Sequence, residues 1–191
     1  VEGTFDGTQY GIVNYLGDAI PSIKGLISIN MDLLSELNMT DPHEYVERGE
    51  WNWDNLRAEL VKGTFVDGEI QHVGMVSDYP TPGAQAFFGA ILANGGYIIK
   101  EINGLYKAGL TEANAIEAIE FMTGLVNDGL LHIGPSGTCG DIWKEGRTWP
   151  LKNNEGPMIN TETDITYSNV RFPYGPSGNP DIVAAYSYNR S

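Results

Sequence analysis

The chain has 191 residues, of which 41% are hydrophobic and 19% are charged, a composition typical of a folded domain. Acidic residues outnumber basic ones by 25 to 11, and the resulting formal net charge of −14 argues against nucleic acid or an anionic membrane as a partner. The single cysteine, Cys139, excludes an intramolecular disulfide, and no apolar run reaches the roughly 18 residues of a membrane span. Residues 1–191 contain no recognisable export signal, so we expect any such signal to lie outside them.

Turn residues, caps and apolar spacing in the first half of the chain predict strands that alternate with helices. Asp6-Gly7 is a favoured hairpin turn, and Asn30 and Asn52 are typical caps at the starts of two helices. The prediction for this half is a hairpin over 4–13, a buried strand over 25–29, a helix over 31–37, a polar stretch over 40–50, a helix from Asn52 to Gly63 with Trp53, Leu56, Leu60 and Val61 on its apolar face, a strand over 70–75 and a loop over 77–80.

The second half continues this alternation, and its clearest element is a long helix. Thr111 is the predicted cap of that helix, Gly129 ends it, and its apolar face carries Ala115, Ile119, Met122 and Val126. The other predicted elements are a helix from Thr81-Pro82 to Gly95-Gly96, a hairpin turn at Asn103-Gly104, a Gly-rich loop over 134–140, a short helix over 141–145, strands over 148–152 and 169–172, and a loop over 174–178. Together these elements indicate an α/β domain with a mixed sheet flanked by helices.

Six short patterns follow one another along nearly the whole chain. They are Tyr-Gly-Ile-Val at 10–13, a Leu-rich segment at 26–36, Trp-Asn-Trp-Asp-Asn-Leu at 51–56, Leu-Ala-Asn-Gly-Gly-Tyr at 92–97, a helical segment at 115–130 and Phe-Pro-Tyr-Gly-Pro-Ser-Gly at 172–178. In this order they resemble the family 1 extracellular solute-binding proteins of ABC transporters, the maltose-binding-protein-like group with the type 2 periplasmic-binding-protein fold. Two positions depart from the family pattern: Val13 replaces a proline, and residues 146–150 replace a Gly-Lys-x-Ala-Met strand.

The resemblance implies two α/β lobes that are joined by a hinge and close on a ligand between them. Residues 1–191 then form a single lobe, most of the C-terminal one, and the partner N-terminal lobe is absent from them. The first strand resembles one hinge crossing and residues 181–191 the other, so we expect these two segments to lie side by side. The implied function is capture of a carbohydrate or similar polar solute for the membrane permease of an ABC transporter. The implied localisation is extracellular, at the cell surface or in the periplasm of a bacterium, as a lipoprotein.

A sugar site needs flat aromatic faces for C–H groups and planar polar groups for hydroxyls. In this family such groups come from loops and helix starts that face the hinge, and the matching positions here are candidates for ligand contact. The alternative for Tyr79 is a surface aromatic, whereas for Phe87, Phe88, Trp51 and Trp53 it is packing in the core. The ligand-binding candidates are Asn14, Tyr15, Tyr79, Thr81, Gln85, Asn154 and Glu155.

We expect no catalysis, no cofactor and no metal. The sequence lacks a Gly-x-Ser-x-Gly nucleophile motif and a phosphate-binding loop, and His43, His72 and His132 lack metal-ligand spacing. Nothing around Cys139 marks a partner base. Two alternatives remain: a secreted glycan-active enzyme that uses a carboxylate pair, and a ligand-binding module that serves a membrane sensor.

Overall fold

A computed structural model describes residues 4–5, 8–9, 23–24, 26–79, 84–152, 164–181 and 186–187 of the chain. Within these residues the helices are α1 (Met31–Glu36), α2 (Pro42–Glu47), α3 (Trp53–Lys62), α4 (Ala84–Ala93), α5 (Ala113–Asn127) and α6 (Ser136–Lys144). The strands are β1 (Thr4–Phe5), β2 (Thr8–Gln9), β3 (Ile23–Lys24), β4 (Leu26–Asn30), β5 (Phe65–Asp67), β6 (Ile70–His72), β7 (Met75–Tyr79), β8 (Ile99–Ile102), β9 (Leu105–Ala108), β10 (Leu131–Pro135), β11 (Pro150–Lys152), β12 (Tyr167–Arg171) and β13 (Tyr186–Ser187).

The centre of the molecule is a five-stranded mixed sheet with the order β10-β7-β11-β4-β12. β10, β7 and β11 run parallel to one another, whereas β4 is antiparallel to both of its neighbours, β11 and β12. β12 therefore points in the same direction as the three parallel strands. The carboxyl ends of β7, β10, β11 and β12 consequently share one edge of the sheet, which we call the carboxyl edge. The α/β class with a mixed sheet, predicted from the sequence, is confirmed.

Helices cover both faces of this sheet. Successive residues of a strand point to opposite sides, so neighbouring residues of β7 reach different helical layers. Met75 of β7 belongs to the larger buried cluster, together with Leu60 of α3 and Met122 of α5. Val76, the next residue of β7, belongs to a smaller cluster with Trp143 of α6. The domain therefore has three layers, with the sheet in the middle.

Several element boundaries follow from local chemistry that the sequence displays. The Asn30 side chain accepts a hydrogen bond of 3.0 Å from the Leu33 amide at the start of α1, and Asn52 caps α3 in the same way. The turn between β8 and β9 places Asn103 at φ 53° and Gly104 at φ 78°, as an Asn-Gly hairpin requires. The predicted caps and this predicted turn are confirmed.

One helix, α2, lies inside the stretch at 40–50 for which no element was predicted. The Asp41 side chain caps it by accepting a 2.8 Å bond from the His43 amide, and Pro42 occupies the first helical turn. The helix has only six residues, so apolar spacing gives no signal of it. The Asp-Pro pair, a typical cap followed by a first-turn proline, was the available signal.

The buried faces of two predicted helices differ from the expectation. Val61 in α3 is 56% exposed and Val126 in α5 is 38% exposed, so neither belongs to the core. Thr111 is not the cap of α5, because the helix begins after Glu112, whose side chain makes no capping bond. Packing against α4 and β10 sets the rotation of α5, and apolar spacing by itself does not fix it. The residues that α5 buries are Ala115, Ala118, Met122 and Leu125.

Two segments predicted as loops belong to regular elements instead. The predicted strand over 70–75 is split into β6 and β7, and β7 continues to Tyr79 through the predicted loop at 77–80. The predicted loop at 134–140 holds the end of β10 and the first part of α6. β10 pairs with β7 over five residue pairs, which satisfies backbone groups despite the glycine and proline that suggested a loop.

The end of the chain lies beside the strand that enters the central sheet. β13 pairs with β3 in an antiparallel ladder, with Tyr186 opposite Lys24, and β3 leads into β4. At the other end, β1 and β2 pair with each other in an antiparallel ladder, and the predicted Asp6-Gly7 turn between them lies outside the described residues. Residues 10–13 lie outside the described residues, so the predicted contact between the first strand and the last segment stays a prediction.

Candidate functional site

Two of the predicted ligand segments, the one at Tyr79 and the one at Asn154, start from neighbouring strands of the carboxyl edge. Tyr79 is the last residue of β7, and β11, which ends at Lys152 shortly before Asn154, is paired in register with β7. The strands that precede two of the predicted segments therefore end side by side. Gln85 is the second residue of α4, and only the backbone of Tyr79 and Gln85 is described. The candidates Asn14, Tyr15, Thr81, Asn154 and Glu155 lie outside the described residues.

This edge is the usual ligand position in an open α/β sheet, because loops from adjacent strands converge there. The next helix in the chain, α4, follows β7, so a helix start also belongs to this part of the fold. Free amides at a helix start can donate to a hydroxyl or a carboxylate. The backbone arrangement thus agrees with a ligand site, and the roles of the predicted side chains stay predictions.

A cavity of about 260 Å³ lies where the start of α3, the middle of α5 and the turn after β12 meet. We call it the α3 pocket. β12 leaves the sheet at the carboxyl edge, but β11 and β4 separate it from β7, which corresponds to about 14 Å at normal strand spacing. The α3 pocket is therefore distinct from the segment around Tyr79. Its lining residues are Asn52, Trp53, Asp54, Phe121, Tyr174, Gly175 and Pro176.

Hydrogen bonds between segments far apart in sequence hold the walls of the α3 pocket. The Trp53 amide donates to Tyr174 O at 3.1 Å, and the Tyr174 amide donates to Trp51 O at 3.1 Å. The Tyr174 hydroxyl donates to Gly49 O, and the Trp51 indole donates to Arg171 O, each at 2.8 Å. The turn after β12 is thereby fixed against the start of α3 without any ligand.

Asn94, directly after α4, connects this turn to α5. Its side chain is fully buried and donates to Asn114 O at 2.8 Å and to Glu117 Oε2 at 2.7 Å. Its Oδ1 accepts a bond of 2.9 Å from the Ser177 amide, and the Ser177 hydroxyl donates to Glu117 Oε2 at 3.0 Å. Both ends of the buried amide are therefore satisfied, and three separate segments are tied together.

Trp51 and Trp53 pack in the core, which was the alternative to ligand contact given for them in the sequence analysis. They are 0% and 5% exposed, and the Trp53 ring stacks on Phe121 with centroids 4.4 Å apart and planes at 4°. The Trp53 indole N–H is buried and has no hydrogen-bond partner among the described residues. Sequence reasoning missed the pocket beside this ring. The available signal was that the family-like patterns at 51–56 and 172–178 supply most of its lining.

His43 takes part in a chain of hydrogen bonds at the edge of the sheet. Its Nδ1 lies 2.7 Å from Asp41 Oδ1, and its Nε2 lies 3.2 Å from both the Ser168 hydroxyl and the Asn169 carbonyl oxygen. Serine hydrolases use the same Asp–His–Ser order, but here Nε2 is shared between the hydroxyl and a backbone carbonyl of β12. We interpret His43 as a cap on the outer edge of β12, an edge that would otherwise be open to pairing with another chain.

The other residues considered for chemistry have structural surroundings. His72 stacks on Phe65 with centroids 4.1 Å apart, and His132 is exposed. Cys139 is buried, and its thiol donates toward Ser77 O at 3.4 Å. In the described ranges, no group of three His, Cys, Asp or Glu side chains could hold a metal ion. Within the same ranges no helix combines the length and apolar character needed to cross a membrane.

Two side chains with a shifted pKa belong neither to the α3 pocket nor to the segment around Tyr79. Burial raises the pKa of Tyr97, and the Glu112 carboxylate, 3.5 Å from its hydroxyl, raises it further. The pKa of Arg48 is raised mainly by its hydrogen bond of 2.9 Å to Glu50. Neither shift marks a catalytic acid or base in the α3 pocket or at Tyr79.

Comparison with known proteins gives a clear result only at the level of structure. No protein-family profile and no curated protein sequence matches the chain. Among solved structures, UgpB from Mycobacterium tuberculosis, in complex with glycerophosphocholine, matches with a TM-score of 0.61 and 15% identity over 83% of this chain. The GacH receptor of Streptomyces glaucescens, solved unliganded and with acarbose, matches with a TM-score of 0.58 and 15% identity over 84% of this chain.

A third similar structure is the ABC substrate-binding protein Lmo0181 from Listeria monocytogenes, in complex with cycloalternan. It matches with a TM-score of 0.54 and 16% identity over 84% of this chain. The chain spans 39%, 40% and 41% of the UgpB, GacH and Lmo0181 chains, respectively, so it corresponds to a part of each. At these identities the likeness concerns the fold. The chain therefore has the fold of part of an ABC substrate-binding protein, and the resemblance seen in the sequence is confirmed at the level of fold.

Proposed function

We propose that the chain is most of the C-terminal lobe of an ABC-transporter substrate-binding protein and that the whole protein captures a carbohydrate or similar polar solute. The observation that carries this proposal is the parallel arrangement of β10, β7 and β11, whose carboxyl ends form one edge. The three similar structures contain glycerophosphocholine, acarbose and cycloalternan, which are all polar solutes. A ligand of this class suits a site built from aromatic faces and planar polar groups.

The proposal extends to the partners and the location of the whole protein. The ligand lies in a cleft between this lobe and a partner N-terminal lobe, and a membrane permease receives it. The protein acts outside the cytoplasmic membrane of a bacterium, at the cell surface or in the periplasm, as a lipoprotein. It performs no catalysis, because capture for transport requires reversible closure around an unchanged ligand.

The proposed ligand contacts are those that the sequence resemblance implies, and two of their segments start from β7 and β11 at the carboxyl edge. The Tyr79 ring stacks on a face of the sugar. The amide and hydroxyl groups donate hydrogen bonds to the sugar hydroxyls or accept them, and the carboxylate accepts them. Contacts from both lobes are needed because a small-molecule site buries most of its ligand. The residues proposed to contact the ligand are Asn14, Tyr15, Tyr79, Thr81, Gln85, Asn154 and Glu155.

The first test compares this chain with its two-lobed parent by calorimetry against glycerophosphocholine, acarbose and cycloalternan. Each 1.4 kcal/mol is about tenfold in affinity, so losing one wall lowers roughly micromolar binding to millimolar or weaker. We expect the parent to bind at least one of the three solutes and the chain alone to bind it far more weakly. Equal affinity for both proteins would contradict a site between two lobes.

The second test uses variants of the two-lobed parent. Tyr79→Ala and Asn154→Ala should each weaken binding at least about tenfold, because they remove a stacking face and a hydrogen-bonding group. Tyr106→Ala is the matched control, since Tyr106 is 47% exposed on β9 and belongs to none of the proposed contacts. Unchanged affinity in both site variants would contradict the proposed contacts. Steady release of reducing ends from a glycan, lost in Glu155→Gln, would favour a glycan-active enzyme instead.

A further inference from the structure

The α3 pocket has the properties of a preformed ligand site. Its walls are fixed by the bonds between Trp53, Tyr174 and Trp51, and by the buried side chain of Asn94. A site that is already ordered loses little conformational entropy when a ligand binds. Gly175 is needed at its floor, because a Cβ there would overlap Asn94 Oδ1 and the Trp53 ring.

The lining of this pocket combines aromatic surface with planar polar groups. Phe121 and Tyr174 are half-buried, and Phe121 lies against the buried Trp53 ring, whose indole N–H lacks a partner among the described residues. Asp54 is exposed in the first turn of α3, and Asn52 stands next to it with its Oδ1 engaged as the helix cap. Aromatic faces accept C–H groups, and carboxylate and amide groups bond hydroxyls.

The charge and the size of the pocket restrict its ligand. Of the described residues that line the pocket, Asp54 is the one with a charged side chain, so an anion is disfavoured. The volume of about 260 Å³ is just below the roughly 300–1,000 Å³ of most ligand pockets, which suits one small ring. We propose that the α3 pocket binds a single neutral sugar ring, at a site separate from the cleft around Tyr79.

The site does not depend on the proposed transport function. Among the described residues, those that line the α3 pocket include none of the proposed cleft contacts. A sugar bound here needs no partner lobe. The isolated 191-residue chain should therefore bind a monosaccharide at the α3 pocket even though it holds only one wall of the cleft.

The experiment follows the side-chain N–H signals of the ¹⁵N-labelled 191-residue chain by NMR during titration with D-glucose, D-galactose or choline. The chain has four tryptophans, and Trp53→Phe assigns the indole signal of Trp53. We expect at least one of the two sugars to shift the Trp53 signal saturably, with a dissociation constant in the millimolar range. The indole signals of Trp143 and Trp149 should stay unchanged, because neither residue lines the pocket.

Matched carboxylate variants make the result specific. Asp54→Ala should weaken sugar binding at least about tenfold, because it removes a charge-assisted hydrogen bond. Glu120→Gln, an exposed carboxylate next to Phe121 that does not line the pocket, should leave the affinity unchanged. Thermal unfolding checks that both variants are folded.

Three results would overturn the proposal. The first is that neither sugar produces a saturable shift at about 100 mM, a concentration well above the expected dissociation constant. The second is that Asp54→Ala binds the sugar with the same affinity as the unmodified chain. The third is that choline binds more tightly than both sugars. The last result would identify a site for organic cations instead. None of these results depends on the two-lobed parent, so failure here and failure of the proposed transport function are distinguishable.

Discussion

The junction between α3 and the turn after β12 differs in kind from the β8–β9 hairpin. At the junction, Trp51 and Trp53 are buried, and they bond to Arg171 and Tyr174, roughly 120 positions away in the chain. In the hairpin, by contrast, the bonds join adjacent strands, and seven of its eight strand residues are exposed. One region is held by contacts distant in sequence, and the other by its own turn.

The two regions contribute differently to the stability of the domain. Ile99 and Leu105 are 68% and 67% exposed, and Lys100 stands directly opposite Lys107, so the hairpin gains little from burial or charge. The preference of Asn103–Gly104 for a tight turn is therefore the main local factor that favours the hairpin. Changes at the junction should therefore lower the free energy of unfolding of the whole domain, whereas changes in the hairpin should alter only its own opening.

The largest effect is expected for Trp51→Ala. The substitution empties a fully buried position and leaves the Arg171 carbonyl without its 2.8 Å bond, so the free energy of unfolding should fall by about 3–5 kcal/mol. Urea unfolding followed by circular dichroism measures it. Tyr106→Ala in the exposed hairpin is the control and should change stability by less than about 0.5 kcal/mol. Similar losses in both variants would refute the contrast between the two regions.

Gly175→Ala should destabilise the domain by about 1–3 kcal/mol, because the added methyl group overlaps Asn94 and the Trp53 ring. Gly124→Ala in α5 is a matched control, since no described atom other than the backbone of its own helix and its chain neighbours lies within 4 Å of the position its Cβ would take. That control should stabilise the helix by about 0.5–1 kcal/mol. The same chemical change thus has opposite signs at two sites, and thermal unfolding of both variants checks it. Equal signs would contradict the packing described at Gly175.

Asn94→Ala should cost about 1–3 kcal/mol, because it removes the bond that the Ser177 amide donates to Asn94 and the bonds that Asn94 donates to the Asn114 carbonyl and to Glu117. Hydrogen exchange at the Ser177 amide gives a local readout, and its protection should fall more than that of core amides in β7. Asn179→Ala, in the exposed turn that follows, is the control and should leave the protection at Ser177 unchanged. A protected Ser177 amide in Asn94→Ala would show that another group holds this turn.

The smallest effect is expected for Lys107→Glu. It replaces a like-charge pair across β8 and β9 with an attractive one and leaves Lys100 over the Tyr97 ring, so the hairpin should gain about 0.2–1 kcal/mol against opening. Amide exchange in β8 and β9 measures this gain, while the global unfolding midpoint should not move. Lys107→Gln, which removes the repulsion without adding attraction, should give a smaller gain. A shift of the global midpoint would mean that the hairpin is coupled to the core.

Features that depend on residues close together in the chain could be predicted from the sequence. Asn30 and Asn52 cap their helices, and Asn103-Gly104 makes its turn, because side chain and backbone interact within a few positions. The alternation of strands and helices likewise predicted the α/β class and the mixed sheet. The resemblance placed candidate residues after β7 and β11, and the side chains of those candidates stay predictions.

Features that join segments far apart in the chain could not be predicted from the sequence and follow from the folded structure. The glycine and proline of residues 134–140 suggest a loop, but parallel pairing with β7 makes β10 a strand. Packing against α4 and β10, rather than apolar spacing, leaves Val126 exposed. The α3 pocket joins residues near 53, 121 and 175, and no local pattern reports a contact between them. The physical reason is that packing and pairing energies depend on which surfaces meet, and the folded chain alone determines that.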